Sequence, residues 1–160
     1  MNRRNWLQSS VGIAAGAALG AASVANAKSK EVQGAKPLVV MVHGAFHWGG
    51  CFEKVANLLA LRGFAVVTPD NRSHGYDDTA YSAVKTMADY CAPVEKILAD
   101  AKAPVVLLGH SLGGVTLGYL GERYPEKIRR LIYLAAIMCP QGESIASYNA
   151  AGRAGGVGLP

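Results

Sequence analysis

Short apolar runs alternate with longer amphipathic stretches along the middle of this chain. The first run, residues 37–42, is continuously apolar, which is typical of a strand buried on both faces of a parallel sheet. Three further runs rich in Val, Leu, Ile and Phe follow at 64–68, 104–108 and 131–136. The pattern therefore predicts four short strands.

The intervals between these runs have helical spacing. Residues 50–62 predict a helix that ends at Gly63. Its apolar face consists of four residues at i, i+3, i+4 and i+7: Phe52, Val55, Ala56 and Leu59. Residues 82–101 predict a second helix, which Pro93 should kink or interrupt near position 92 because proline lacks a backbone N–H. A third helix, free of proline, is predicted over 112–123.

Strands that alternate with helices favour right-handed crossovers and a parallel sheet with helices on both faces. The predicted fold class is therefore α/β, with about four strands over residues 37–140. Residues 141–160 are rich in Gly and Ala and short of large apolar side chains. They predict no further strand or helix and are interpreted as a disordered tail or as the start of an additional segment.

The first 27 residues have the pattern of an export signal. Arg3 and Arg4 precede a weakly apolar stretch at 11–24, and 25–27 supply the small residues of a signal-peptidase site. The paired arginines resemble a twin-arginine signal. We expect export to the bacterial periplasm or beyond, cleavage without stable membrane insertion, and a polar leader at 28–36. An uncleaved anchor is the alternative.

Charge argues against one class of partner. The 160 residues carry a formal net charge of +5, and removal of residues 1–27 takes away two arginines and lowers it to +3. No cluster of Lys and Arg that could follow a phosphate backbone remains in the sequence. Nucleic acid is therefore not an expected partner.

The three cysteines, Cys51, Cys91 and Cys139, lie in apolar sequence surroundings. We expect buried free thiols, although an exported protein could pair two of them. His43 and His47 have the i, i+4 spacing of a metal pair. That spacing faces one way only on a helix, and Gly44 argues against a helix there. No third ligand follows, so the sequence predicts no metal site.

The motif that carries chemistry is G-x-S-x-G, at residues 109–113, directly after the third predicted strand. Ser111 would lie on a tight turn between a strand and a helix, with its hydroxyl exposed at the carboxyl end of the sheet. Gly109, Gly113 and Gly114 remove Cβ atoms that would collide at such a corner. Ser111 is therefore the candidate nucleophile. An idle serine in a glycine turn is the alternative.

The loop after the first strand is the second candidate element. Attack on an ester carbonyl creates an oxyanion, which needs two N–H groups about 3 Å away. We expect one from Leu112 and the other from Ala45, with Phe46 as second choice. His43 and Gly44 are interpreted as scaffolding, with His43 bonded to the backbone.

The remaining polar and aromatic residues have weaker signals. Four residues are predicted to line the pocket: Phe46, His47, Trp48 and His110. Asp70, Arg72 and His74 follow the second strand, and we interpret them as turn residues with a structural ion pair. A plain glycine-rich connection is the alternative interpretation of the loop at 43–50.

Three segments together resemble the α/β-hydrolase superfamily: V-H-G-A at 42–45, P-D-N-R-S-H-G at 69–75 and G-H-S-L-G-G at 109–114. The branch most similar to them includes plant methylesterases, hydroxynitrile lyases and bacterial pyrethroid-type esterases. The resemblance covers residues 37–141. It implies an α/β-hydrolase fold, a Ser-Asp/Glu-His triad, no cofactor, a small-molecule ester substrate and a helical cap that could begin within 141–160.

The sequence departs from that pattern in one respect. The triad of this fold runs Ser, acid, His along the chain, but no histidine follows Ser111. The acids beyond it are Glu122, Glu126 and Glu143. We therefore expect the amino-terminal half of an α/β-hydrolase, with an incomplete sheet, from a serine enzyme that hydrolyses carboxylic esters. The alternatives are a cofactor-free lyase or perhydrolase, a non-catalytic ligand-binding homologue and an inactive fragment.

Overall fold

The computed structural model describes residues 36–140, 142–147 and 150. The strands are β1 (Val39–Val42), β2 (Val66–Val67), β3 (Val105–Ser111) and β4 (Ile128–Ala136). The helices that pack on this sheet are α1 (Glu53–Leu61), α2 (Met87–Asp100) and α3 (Gly113–Arg123). Residues 145–147 and 150 are also helical, although the sequence predicted no further helix there. The predicted signal, the leader and most of 141–160 lie outside the described residues. No helix in the described part is long and apolar enough to cross a membrane.

The four strands form one sheet in the order β2-β1-β3-β4, and all neighbouring strands are parallel. Val42 at the end of β1 is paired with Gly109 of β3. The loop that follows β1 therefore leaves the sheet beside the end of β3. The α/β class, the parallel sheet and its incompleteness are confirmed.

Both faces of β1 are buried, as its continuous apolar run predicts. Val40 and Val42 belong to a core that includes residues of α2 and α3, such as Leu98 and Leu117. Val39 and Met41 belong to a second core, with Phe52. Adjacent side chains of a strand point to opposite faces, so the two cores lie on opposite sides of the sheet.

The first predicted helix differs in part from the observed one. Residues 49–52 form a 3₁₀ turn, and α1 covers only Glu53–Leu61. Phe52 is buried, but Val55 is 46% exposed. β2 contributes only two residues to the sheet, which leaves little sheet surface for α1 to cover.

The second predicted helix begins later than predicted, and Pro93 does not interrupt it. α2 begins at Met87 after a capping box, in which the Asp89 N–H donates to Thr86 Oγ1 at 3.1 Å and the Thr86 N–H donates to Asp89 Oδ2 at 2.9 Å. Pro93 lies inside the helix without ending it. Proline removes one hydrogen bond there, whereas the buried stripe of Cys91, Val94 and Leu98 fixes the helix to the core.

The cysteines were predicted to be free and buried, and burial is observed for one of the three. All three thiols are free, but only Cys91 is buried; Cys51 is exposed and Cys139 is intermediate. Burial raises the pKa of the Cys91 thiol to about 11. Cys51 lies in the 3₁₀ turn beside Phe52, and the turn buries Phe52 while it exposes its neighbour.

Replacement of Thr86 by Ala should lower the free energy of unfolding by about 1 kcal/mol, because the first turn of α2 loses its capping oxygen. Urea unfolding followed by circular dichroism measures the change. Ser82→Ala, at an exposed position before the helix, is the control and should unfold like the wild type. Equal midpoints for all three proteins would contradict the assigned cap.

Candidate active site

Ser111 is the last residue of β3 and lies at the turn into α3. Its φ is +52°, in the left-handed region that side-chain-bearing residues rarely adopt. Leu112 then has helical dihedral angles, and α3 begins at Gly113. A left-handed residue costs about 1–2 kcal/mol. The strand, strained serine and helix follow each other in the order that the G-x-S-x-G motif predicts.

Close backbone approaches explain the glycines around this corner. A Cβ atom at Gly109 would lie 2.8 Å from the Gly113 carbonyl oxygen. A Cβ atom at Gly113 would lie 2.6 Å from the Val42 carbonyl oxygen, and one at Gly44 would lie 2.9 Å from Ser111 Cβ. Glycine at these positions lets the loop after β1 contact the serine directly.

That loop continues through a turn at Ala45 and Phe46, and Phe46 is also left-handed, with a φ of +60°. Among the turn and loop hydrogen bonds of the described residues, neither the Ala45 N–H nor the Leu112 N–H is a donor. The two predicted oxyanion donors therefore lie on the two segments that Gly44 brings together at Ser111, and neither is engaged in those bonds.

His43 links the loops after β1 and β2. It is fully buried; its Nδ1–H donates to the Gly44 carbonyl oxygen at 2.8 Å, and its Nε2 accepts from the Asn71 N–H at 3.0 Å. These two bonds fix one neutral tautomer. Burial lowers the pKa of the His43 imidazole. The backbone bonding expected from the sequence is thus observed, and Asn71 is the partner that the sequence did not reveal.

The loop after β2 has the turn chemistry that was predicted. Asp70 accepts the Gly49 N–H at 2.6 Å and the Tyr76 N–H at 2.8 Å. The ion pair of this loop joins Arg72 to Asp77 at 3.2 Å. Hydrogen bonds, first that from the Ser73 N–H, lower the pKa of Asp77 to about 2. Asp70 therefore links the loop after β1 to the loop after β2. The ion pair of Arg72 is formed with Asp77 and not with Asp70.

Of the four residues predicted to line a pocket, two lie close together. His47 and His110 face each other edge-on with ring centroids 6.3 Å apart, and His47 Nδ1 bonds the Ala45 carbonyl oxygen at 2.9 Å. Phe46 is 99% exposed and Trp48 is 44% exposed. Within the described residues these two aromatic side chains form an open surface, so their role in a pocket stays a prediction.

One hydrogen bond to Ser111 could not be predicted from the sequence. The Ile137 N–H, just beyond β4, donates to the Ser111 carbonyl oxygen at 2.9 Å. A backbone donor of this kind carries no residue-type signature, which is why sequence reasoning missed it. No hydrogen bond from Ser111 Oγ to a histidine occurs in the part of the chain that the structure describes.

Comparison with known proteins agrees with this geometry. The family model Hydrolase_4, described as "Serine aminopeptidase, S33", matches residues 33–154. The chain belongs to this α/β-hydrolase family. The resemblance drawn from the three sequence segments is thereby confirmed at the level of the superfamily.

Relatives of this α/β-hydrolase include esterases. The pyrethroid hydrolase of Sphingobium wenxiniae is 39% identical over 104 residues, which are 65% of this chain and 37% of that protein. Methylesterase 1 of Arabidopsis thaliana is 37% identical over 112 residues, which are 68% of this chain and 42% of that protein.

Among solved structures, polyneuridine aldehyde esterase matches with a TM-score of 0.69 and 30% identity, over 74% of this chain and 48% of that one. The chain thus spans between 37% and 48% of the length of the relatives named here.

The buried His43 of this α/β-hydrolase predicts a pH dependence of stability. Its pKa in the folded protein lies below the ordinary value of 6.5, so the unfolded chain binds the proton more tightly. The stabilisation is present above pH 6.5 and is lost as the pH falls towards the lowered pKa. Between pH 7 and pH 5, the free energy of unfolding should therefore decrease more in the wild type than in His43→Gln.

Denaturant unfolding at several pH values measures this difference. His47→Gln is the matched control, because it makes the same substitution at an exposed position of the same loop. A His43→Gln slope identical to that of the wild type would show that this imidazole is not held neutral by the fold.

Proposed function

We propose that these residues form the nucleophile-bearing half of a serine esterase that hydrolyses carboxylic esters through an acyl-enzyme. The observation that carries the proposal is the left-handed Ser111 corner in contact with Gly44. A serine on such a corner presents its hydroxyl to a substrate beside two sets of backbone N–H groups. The esterases among the relatives support the choice of an ester over other acyl compounds.

The reaction begins when Ser111 Oγ attacks the ester carbonyl and a histidine base takes the hydroxyl proton. The N–H groups of Leu112 and Ala45 bind the oxyanion of the tetrahedral intermediate. The intermediate collapses, the alcohol leaves with the proton, and a water molecule then hydrolyses the acyl-enzyme with the same base. This sequence of steps needs no cofactor.

In this proposal, the histidine and its acid partner are residues other than these 160. All four histidines precede Ser111, and His43 uses both ring nitrogens in bonds to the backbone. The order Ser, acid, His of this fold requires a later histidine. Without such a base, the serine hydroxyl is a weak nucleophile at neutral pH.

The surroundings of Ser111 favour an uncharged substrate. The loop that contacts Ser111 through Gly44 continues with residues without a permanent charge: Ala45, Phe46, His47 and Trp48. Exposed Phe46 and Trp48 offer apolar surface to the acyl or alcohol part of a small ester. We further propose that residues 1–27 export the enzyme, as the sequence indicates.

A fluorophosphonate probe tests the nucleophile. The protein made from the complete reading frame that contains this chain should be labelled at Ser111, and Ser111→Ala should abolish the label, as read by mass spectrometry of the modified peptide. Ser73→Ala is the matched control, since Ser73 also has a positive φ, of +65°, but lies in the loop after β2. It should label like the wild type.

Two results would contradict the proposal. One is a folded complete protein that stays unlabelled, and the other is a label that persists in Ser111→Ala. A labelled protein that cleaves cyanohydrins but no ester would keep the nucleophile and shift the reaction to that of a lyase.

A further inference from the structure

β4 contains one more residue than β3 at the level of the nucleophile. His110 is paired with Leu134, and Ser111 is paired with Ala136, so Ala135 has no partner in β3. Ala135 has a φ of +44°, which is unfavourable for a residue with a Cβ atom. This is a β-bulge next to the candidate active site, and bulges in such places commonly re-aim a nearby group.

The bulge determines which backbone N–H donates to the serine carbonyl. Directly after β4, the Ile137 N–H donates to the Ser111 carbonyl oxygen at 2.9 Å. In an uninterrupted parallel register, Ala135 would lie opposite Ser111, and the N–H of the next residue, Ala136, would face the Ser111 carbonyl oxygen. The extra residue instead makes Ile137, the first residue beyond β4, the donor. The bulge therefore sets which part of the chain holds the serine carbonyl.

The Ser111 carbonyl belongs to the same peptide unit as the Leu112 N–H. Because a trans peptide is planar, its C=O and N–H point in opposite directions, and a bond that fixes one fixes the other. A donor at the oxygen also polarises the unit and strengthens the N–H as a donor. The Ile137 N–H therefore sets the direction of the proposed oxyanion donor from the side opposite the substrate.

We propose that Ala135 and Ile137 position the oxyanion hole: the bulge at Ala135 places the Ile137 N–H on the Ser111 carbonyl and thereby aims the Leu112 N–H at the developing oxyanion. This inference rests on the proposed function. Gly114 belongs to the same arrangement, because a Cβ atom there would overlap the Ile137 carbonyl oxygen.

Substitutions at Ala135 test the bulge in the complete protein. Val is β-branched and strongly disfavours a positive φ, so Ala135→Val should flatten the bulge, whereas Ala135→Gly and Ala135→Asn should tolerate it. The rate constant for phosphonylation of Ser111 should fall about tenfold or more in Ala135→Val, as expected for a misdirected oxyanion donor. The apparent affinity for the probe should change less than twofold, and Gly and Asn should retain the rate.

Arg129→Val is the matched control, because it places the same side chain at an exposed position of β4 with an ordinary φ. If Ala135→Val does not fold, a second pair of variants, at Gly114 and Gly118, tests the same arrangement. Gly114→Ala should slow labelling, whereas Gly118→Ala, in the same helix, should not, since its Cβ would approach only the Tyr133 hydroxyl oxygen, at 3.9 Å.

Hydrogen exchange in the wild type tests the same bond without any variant. The Ile137 amide should be strongly protected, and rapid exchange would overturn the inference. Labelling of Ala135→Val or Gly114→Ala at the wild-type rate would also overturn it. An equal fall in the phosphonylation rate constant of Ala135→Gly and Ala135→Val would overturn it as well. An unlabelled wild type is a different outcome, because it removes the proposed esterase mechanism itself.

Discussion

The contact between Gly44 and Ser111 is the constraint on which the rest of this structure depends. A serine with a φ of +52° is strained, and it persists only because the surrounding chain leaves it no other conformation. β1 and β3 run side by side, so the loop after β1 meets the end of β3. Only a residue without a Cβ atom fits between them. The fold thus places the loop after β1 against the corner that carries the Ser111 hydroxyl.

The polar groups around this contact hold the loops in place. His43 is buried and neutral, and it binds the backbone of two loops at once. Asp70 accepts two backbone N–H groups of the same region. On the other side, the bulge of β4 brings the Ile137 N–H to the serine carbonyl. The corner is thus fixed from three directions, which is the preorganisation that stabilisation of an oxyanion requires.

Sequence alone predicted the parts of this arrangement that depend on side-chain type. The run at 37–42, the glycines of the elbow and the scaffolding role of His43 follow from periodicity, from missing Cβ atoms and from the chemistry of imidazole. The parts set by tertiary packing were not predictable. Pro93 is tolerated because the core holds α2, and Cys51 is exposed because its 3₁₀ turn buries Phe52 instead. Nothing in the sequence predicts the bulge at Ala135, because alanine, unlike glycine or asparagine, is not a residue type that indicates a positive φ.

A crystal structure of the complete protein after reaction with a dialkyl fluorophosphate tests the central claim most directly. The phosphorus should be bonded to Ser111 Oγ, and one phosphoryl oxygen should accept hydrogen bonds of about 3 Å from the N–H groups of Leu112 and Ala45. A phosphoryl oxygen that points into solvent, or that is bound by other donors, would contradict the assigned geometry of the site.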